Sequence, residues 1–283
     1  MEHNITKLYD EYKSGKINRR SFLKKLTLIT GSSAAALAIL PALGCAGRVK
    51  PTQNDEPVTQ FINYPAPKMD VRAFLAHPKK DGKFPAVIVI HENRGLQPHI
   101  QDVTTRFAKE GFLAMAPDAL TPVGGTPEDD QSRASELIRS LDNDDTVDNF
   151  VAAVKYLKTH PLSTGKVGCT GFCWGGAMTN QVAVNSADLN AAVPYYGRQP
   201  ATEDVAKIEA PIMAHYAEND AGINAGIAAF EEELKKQEKE YQIFVYPGTA
   251  HAFNNDTNPE RYNAEAATLA WNRTVSFFKD KLK

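Results

Sequence analysis

Residues 166–179 read KVGCTGFCWGGAMT. An apolar segment runs into a cysteine flanked by glycines at two residues on either side, Gly171 and Gly175, and the pattern can continue as a helix. That is the layout of a nucleophile elbow, G-x-S-x-G, with Cys173 in place of serine. Strand and helix must pack closely around a residue held in strained backbone geometry, so the flanking positions need side chains that are nearly absent. Gly176 relaxes the crowding further. A lone cysteine after an apolar strand is also an ordinary small core residue. The neighbouring segments have to decide between the two.

Working outward, residues 84–91 (FPAVIVIH) form an unbroken apolar run, as in a central strand covered on both faces. Before it, residues 58–64 and 71–77 alternate as the two strands of a hairpin. After it, helical spacing over residues 100–111 ends at Gly111, and residues 112–116 read as another buried strand. Residues 117–130 form a long loop, and helices are expected over 131–141 and 146–160. Residues 162–165 turn into the strand that carries the elbow, and the elbow helix runs through Asn185. Strands are expected at 191–196, 212–217 and 241–246, an acidic helix at 222–240 and a last helix at 263–282. The charge run at 231–240 (EEELKKQEKE) reads as a solvated helix face. This alternation implies an α/β protein with right-handed crossovers, a mostly parallel central sheet and helices on both faces.

The ends of the strands in such a sheet gather chemical groups. Past successive strands come Glu92, Cys173, Asp220 and His251, and the chain order nucleophile, acid, histidine is that of the α/β-hydrolase fold. A thiol titrates near pH ~8.5, so His251 would take its proton or hold it as an ion pair. Asp220 would accept the other ring N–H and fix the tautomer, with Glu218 in reserve. The backbone N–H groups of Trp174 and Asn93 are candidates for binding an oxyanion. For Asp220 the competing reading is a helix N-cap ahead of Gly222, and for Glu92 an ion pair with Arg94.

Taken together, GFCWGG around Cys173, Glu92 in HENRGL, APDAL, YYGRQP, the Asp220 loop and GTAHAF ending in His251 resemble the dienelactone hydrolase family from about Val58 onward. The resemblance implies a Cys-Asp-His triad needing neither metal nor organic cofactor, acting on a small-molecule enol-lactone that bears a carboxylate. It also gives Glu92 a role, holding the resting thiol until substrate arrives. One feature departs from the family: no arginine follows His251 closely, where Asn254 and Asn255 stand. Arg94 and Arg198 are the candidate substitutes, with Arg133 and Arg261 as further arginines. The competing functions are a broader carboxylesterase or thioesterase, and a non-catalytic exported binding protein on the same fold. A thiol redox protein lacks its C-x-x-C pair, and His91-Glu92 lacks the second histidine of H-E-x-x-H, so no metal site is expected.

Composition agrees with one large domain over residues 58–283, preceded by a linker at 47–57 and a signal-like segment at 1–46. Residues 18–25 (NRRSFLKK) resemble a twin-arginine signal, followed by a moderately apolar stretch too short for a membrane span. Recognition by export machinery and a periplasmic or envelope location are therefore expected. An uncleaved anchor, or a lipid on Cys45 in an imperfect lipobox, is the alternative. Residues 47–283 carry 25 Lys and Arg against 31 Asp and Glu, which is not the balance of a nucleic-acid binder. Three cysteines are too few for a disulfide framework, and a Cys169–Cys173 bond would have to span a strand end and the turn above it.

Overall fold

The computed structural model describes residues 56–127 and 129–283, together with Leu8 and Lys25. The twin-arginine pattern apart from Lys25, together with Cys45 and most of the linker, lies outside the described residues. One eight-stranded sheet has the order β1-β2-β4-β3-β5-β6-β7-β8. Its strands are β1 (Val58–Pro65), β2 (Asp70–His77), β3 (Phe84–Ile90), β4 (Leu113–Pro117), β5 (Ser163–Phe172), β6 (Ala191–Tyr195), β7 (Ile212–Asn219) and β8 (Tyr241–Ala250). The β1 and β2 strands pair antiparallel, as do β2 and β4, and every pairing from β4 to β8 is parallel.

The helices are α1 (Pro98–Lys109), α2 (Gln131–Ser140), α3 (Asn143–Thr159), α4 (Trp174–Asn185), α5 (Ala221–Asn224), α6 (Ile227–Lys236) and α7 (Ala264–Lys281). Alternation along β3 explains why they cover both faces. Ala86, Ile88 and Ile90 pack with residues of α2, α3, α4 and α6, whereas Val87 and Val89 pack with residues of α1 and α7. A strand buried on both sides has no polar face, which is why its sequence reads as one apolar run. Three helix starts are capped by side chains: Asp130, Asp142 and Asn263 accept from the backbone N–H of Arg133, Asp145 and Ala266. The α4 helix has no side-chain cap, and Cys173 occupies that position.

Three expectations are corrected. The turn expected at residues 162–165 is mostly strand, since β5 begins at Ser163 and Phe84 pairs with it. The acidic helix expected over 222–240 is two helices, broken after Asn224 and finished at Lys236. Asn224 causes the break: its Nδ2 donates to the carbonyls of Ala217 and Glu218, tying the chain back to the end of β7. Finally, β8 continues through Ala250. Ala217 pairs with Tyr246 but Asn219 with Ala250, so β8 takes four steps where β7 takes two. That irregularity sets Asp220 beside His251.

A buried polar network joins the sheet to α7. His215 Nε2 meets Thr274 Oγ1 at 3.0 Å, its Nδ1 meets the Tyr246 hydroxyl at 2.9 Å, and Thr274 also bonds Tyr195 at 2.6 Å. Burial, and secondarily the Arg273 charge, lowers the His215 pKa to about 3. A histidine whose pKa falls on folding binds its proton more readily when unfolded, so its stabilisation is complete above about pH 6.5 and is lost as the pH falls toward 3. His215→Gln is therefore expected to flatten the decline of the urea midpoint between pH 6.5 and 4. An unchanged pH slope would remove His215 from the acid response.

Candidate active site

Cys173 follows β5 directly, with φ 58° and ψ −118°. A non-glycine residue pays for this conformation, and it persists because the surroundings dictate it. At Gly171 a Cβ would overlap the Gly175 carbonyl and approach Thr179 Oγ1 to 2.7 Å; at Gly175 it would overlap the carbonyls of Ile90 and His91. The cysteine N–H donates to the Tyr195 carbonyl at 3.1 Å, locking the turn to β6. Its side chain is half-buried at the start of α4. Cys169 is free as well and has a different fate: complete burial raises its thiol to about 12.

The structure brings His251 and Asp220 together, with Nδ1 and Oδ2 2.6 Å apart. Asp220 occupies the N-cap position of α5, yet its side chain makes no capping bond; the carboxylate is given to the histidine. The reserve acid, Glu218, accepts from the Gly248 N–H at 2.8 Å and so braces the end of β8. Since Asp220 takes Nδ1, Nε2 is the ring nitrogen left for Cys173. Partial burial pulls the His251 pKa down, but the hydrogen bond and charge of Cys173, then those of Asp220, outweigh it and raise the value to about 9. The imidazolium is thus favoured next to sulfur.

On the other side of the elbow, the β3 loop carries Glu92 and Asn93. Glu92 Oε2 accepts from Asn255 Nδ2 at 2.8 Å, while Arg94 donates to Gln131 at 2.5 Å, so Glu92 and Arg94 have separate partners. Asn255 is oriented by its own neighbours: Oδ1 accepts from the Thr257 N–H at 3.0 Å and from its hydroxyl at 2.6 Å, which leaves Nδ2 for the carboxylate. The next residue, Asp256, is held by His99 and Arg106 of α1. His91 anchors the base of the loop. Its Nε2 accepts from the Ala119 N–H, so Nδ1 carries the proton and donates to the Glu92 carbonyl at 2.7 Å. Burial keeps that ring neutral, and Trp174 stacks on it at 5.5 Å. Asp118, from the APDAL motif, accepts from the N–H and hydroxyl of Thr126, and that hydroxyl accepts from the Leu96 N–H. Its role is to tie two loops together.

Trp174 is the first residue of α4, where a backbone N–H has no partner within the helix. The Asn93 carbonyl accepts from Ser135 at 3.0 Å, and among the described residues its N–H donates to nothing. Both candidate oxyanion donors are thus free to meet a ligand. Arg198 is exposed and lines a separate open cleft with Gln199, Thr202, Gly222 and Phe230. Arg133 pairs with Glu136 at 3.3 Å. Among the described residues no cluster of three His, Cys, Asp or Glu side chains is arranged to hold a metal ion. Two site residues escaped the sequence reading: Asn255, read there only as a missing arginine, and Tyr196, whose ring lies 5.1 Å from that of His251. The doubled asparagine after His251 and the doubled tyrosine of YYGRQP were the available signals.

Comparison with known proteins places this site in a family. The chain is 35% identical over 232 residues to Protein usf of Aquifex pyrophilus, covering 79% of this chain and 99% of that one. It is 30% identical over 271 residues to a Methylorubrum extorquens protein named "Putative carboxymethylenebutenolidase", covering 91% and 93%. A crystal structure of a dienelactone hydrolase-like promiscuous phosphotriesterase from metagenomic libraries shares the fold, with TM-score 0.73 at 22% identity over 81% of this chain and all of that one. The sequence profile of the Dienelactone hydrolase family matches residues 71–282, and the chain belongs to that family of α/β hydrolases.

Proposed function

We propose that this hydrolase opens small lactones or cleaves small carboxylic esters through Cys173, with His251 as general base and acid and Asp220 holding the imidazole. The observation that carries the reading is the 2.6 Å contact of Asp220 with Nδ1 of a histidine whose remaining nitrogen serves a cysteine on a strained elbow. Sulfur attacks the acyl carbon, and the carbonyl oxygen takes the electron pair beside the N–H groups of Trp174 and Asn93. Collapse breaks the acyl–oxygen bond, and the leaving oxygen receives the proton from His251. Water then adds to the thioester, His251 accepts its proton, and the carboxylic acid departs as the thiolate is restored.

Asn255 bears on the substrate class. A neutral amide faces Glu92, so a neutral acyl group suits this corner at least as well as a carboxylate, which favours the broader ester reading over a strict dienelactone. The testing experiment offers the full chain a dienelactone, simple lactones, aryl esters and thioesters, and looks by intact mass for an acyl adduct that Cys173→Ala lacks. Turnover without any adduct on Cys173, even after rapid quenching, would refute the cysteinyl intermediate.

Glu92 is assigned a restraining role, because its negative charge next to the site opposes thiolate formation before substrate binds. Glu92→Gln should speed alkylation of Cys173 by iodoacetamide at neutral pH and slow hydrolysis. Rates that fall together would leave Glu92 a merely structural residue.

A further inference from the structure

Tyr196 is completely buried, yet its hydroxyl has no hydrogen-bond partner. Buried hydroxyls without partners are rare in folded proteins and ask for an explanation. Its backbone is unusual too, with φ 36°. For a bulky side chain this is a strained conformation, of the kind that recurs at functional sites. Two backbone bonds impose it: the Tyr196 N–H donates to the His215 carbonyl at 2.7 Å, and the preceding carbonyl, that of Tyr195, accepts from Cys173.

The register says where this residue sits. Phe172 pairs with Tyr195, so the residues that follow them, Cys173 and Tyr196, leave the sheet side by side. The phenol ring then packs against His251 at 5.1 Å and Phe253 at 5.5 Å. In the sheet, β6 lies on the β7 and β8 side of β5, whereas β3, which leads to Asn93, lies on the other. Tyr196 thus flanks the nucleophile on the histidine side, away from the Asn93 donor. That is the side toward which the leaving group must point if His251 is to protonate it. Burial first, then the charges of Glu92 and Cys173, push the phenol well above its usual range, so it remains a proton-bearing donor throughout the working pH.

Resting on the cysteine-hydrolase reading above, we propose that Tyr196 is a further catalytic residue, whose hydroxyl donates a hydrogen bond to the leaving-group oxygen as the acyl–oxygen bond breaks. The Tyr196 proton stays on the phenol. Electron density from the broken bond collects on the leaving oxygen, His251 delivers the proton that makes it an alcohol or enol, and Tyr196 steadies the charge until that transfer is complete. A donor aimed at developing charge in a dry site is worth far more than the same bond in water.

The test uses the full chain and esters of one acid that differ in their alcohol: p-nitrophenyl, phenyl and ethyl. The ratio kcat/KM reports acylation, the step in which the leaving oxygen departs. Tyr196→Phe is expected to lower kcat/KM by about 100-fold on the ethyl ester and by less than about threefold on the p-nitrophenyl ester, whose leaving group needs little help. Loss of an unpartnered hydroxyl should leave the melting temperature unchanged or raise it, and iodoacetamide should alkylate Cys173 at the wild-type rate. Equal losses across the series, or none on the ethyl ester, would overturn the proposal. So would a lowered melting temperature, since it would mean that the hydroxyl is bonded within the fold. Should Cys173→Ala hydrolyse all three esters as well as the wild type, the cysteine reading itself has failed, and that outcome is distinct from any change confined to Tyr196→Phe.

Discussion

Cys173→Ala and His251→Ala should each lower kcat/KM on the best ester or lactone by about 10⁴-fold or more, and the double variant should be little worse than either. On the proposed mechanism the pair works as one device. Without His251 the thiol has no base to take its proton and attacks poorly. Without Cys173 the imidazole has no sulfur to deprotonate, and what remains is the binding of substrate near the oxyanion donors. Folding should survive both changes, since Cys173 is half-buried and His251 is a part-buried ring whose hydrogen bonds are to the site's own Asp220 and Cys173. The pH profile adds a separate check. His251 is raised to about 9 by Cys173 and Asp220 against the opposing effect of burial, so the ring keeps its proton below that pH and loses it as the pH climbs through it. In Asp220→Asn the upper limb of the kcat/KM profile should therefore move to lower pH, because the proton donor to the leaving group is lost earlier once one of the two charges that raise the ring has gone. Additive losses in the double variant, or activity of Cys173→Ala near the wild-type level, would dissolve the unit.

What could be read from the chain was local. The elbow is visible because its glycines stand at fixed spacing about the nucleophile, and β3 is visible because burial on two faces leaves an apolar run. His251 and Asp220 were placeable at strand ends. Their pairing was expected from chain order, but the register that achieves it was not legible, because it depends on the extra residues that β8 inserts between Tyr246 and Ala250. The contact of Glu92 with Asn255 spans 163 positions and leaves no periodic mark. Asn224 divides the acidic helix through bonds to β7 carbonyls, a tertiary effect that overrides a helical charge pattern. Tyr196 stood inside a motif, but only the fold reveals that its hydroxyl is buried and idle.

Gly175→Ala should cost about 2–3 kcal/mol of stability, at the upper end of what a single added methyl does in a packed interior. A Cβ there would overlap the carbonyl oxygens of Ile90 and His91 and come within 2.8 Å of the Ile90 carbonyl carbon. These are backbone atoms at the end of the central strand, so no rotamer change can clear the space. Either α4 lifts from the sheet or β3 shifts. In the first case Cys173 and Trp174 move, and in the second Glu92 and Asn93 move, so hydrolysis should fall by more than the fraction unfolded. Gly222→Ala is the control, because a Cβ there meets nothing within 4 Å and should change stability by no more than about 0.5 kcal/mol. Equal urea midpoints for the two variants would mean that helix and strand are not in the contact on which the elbow depends.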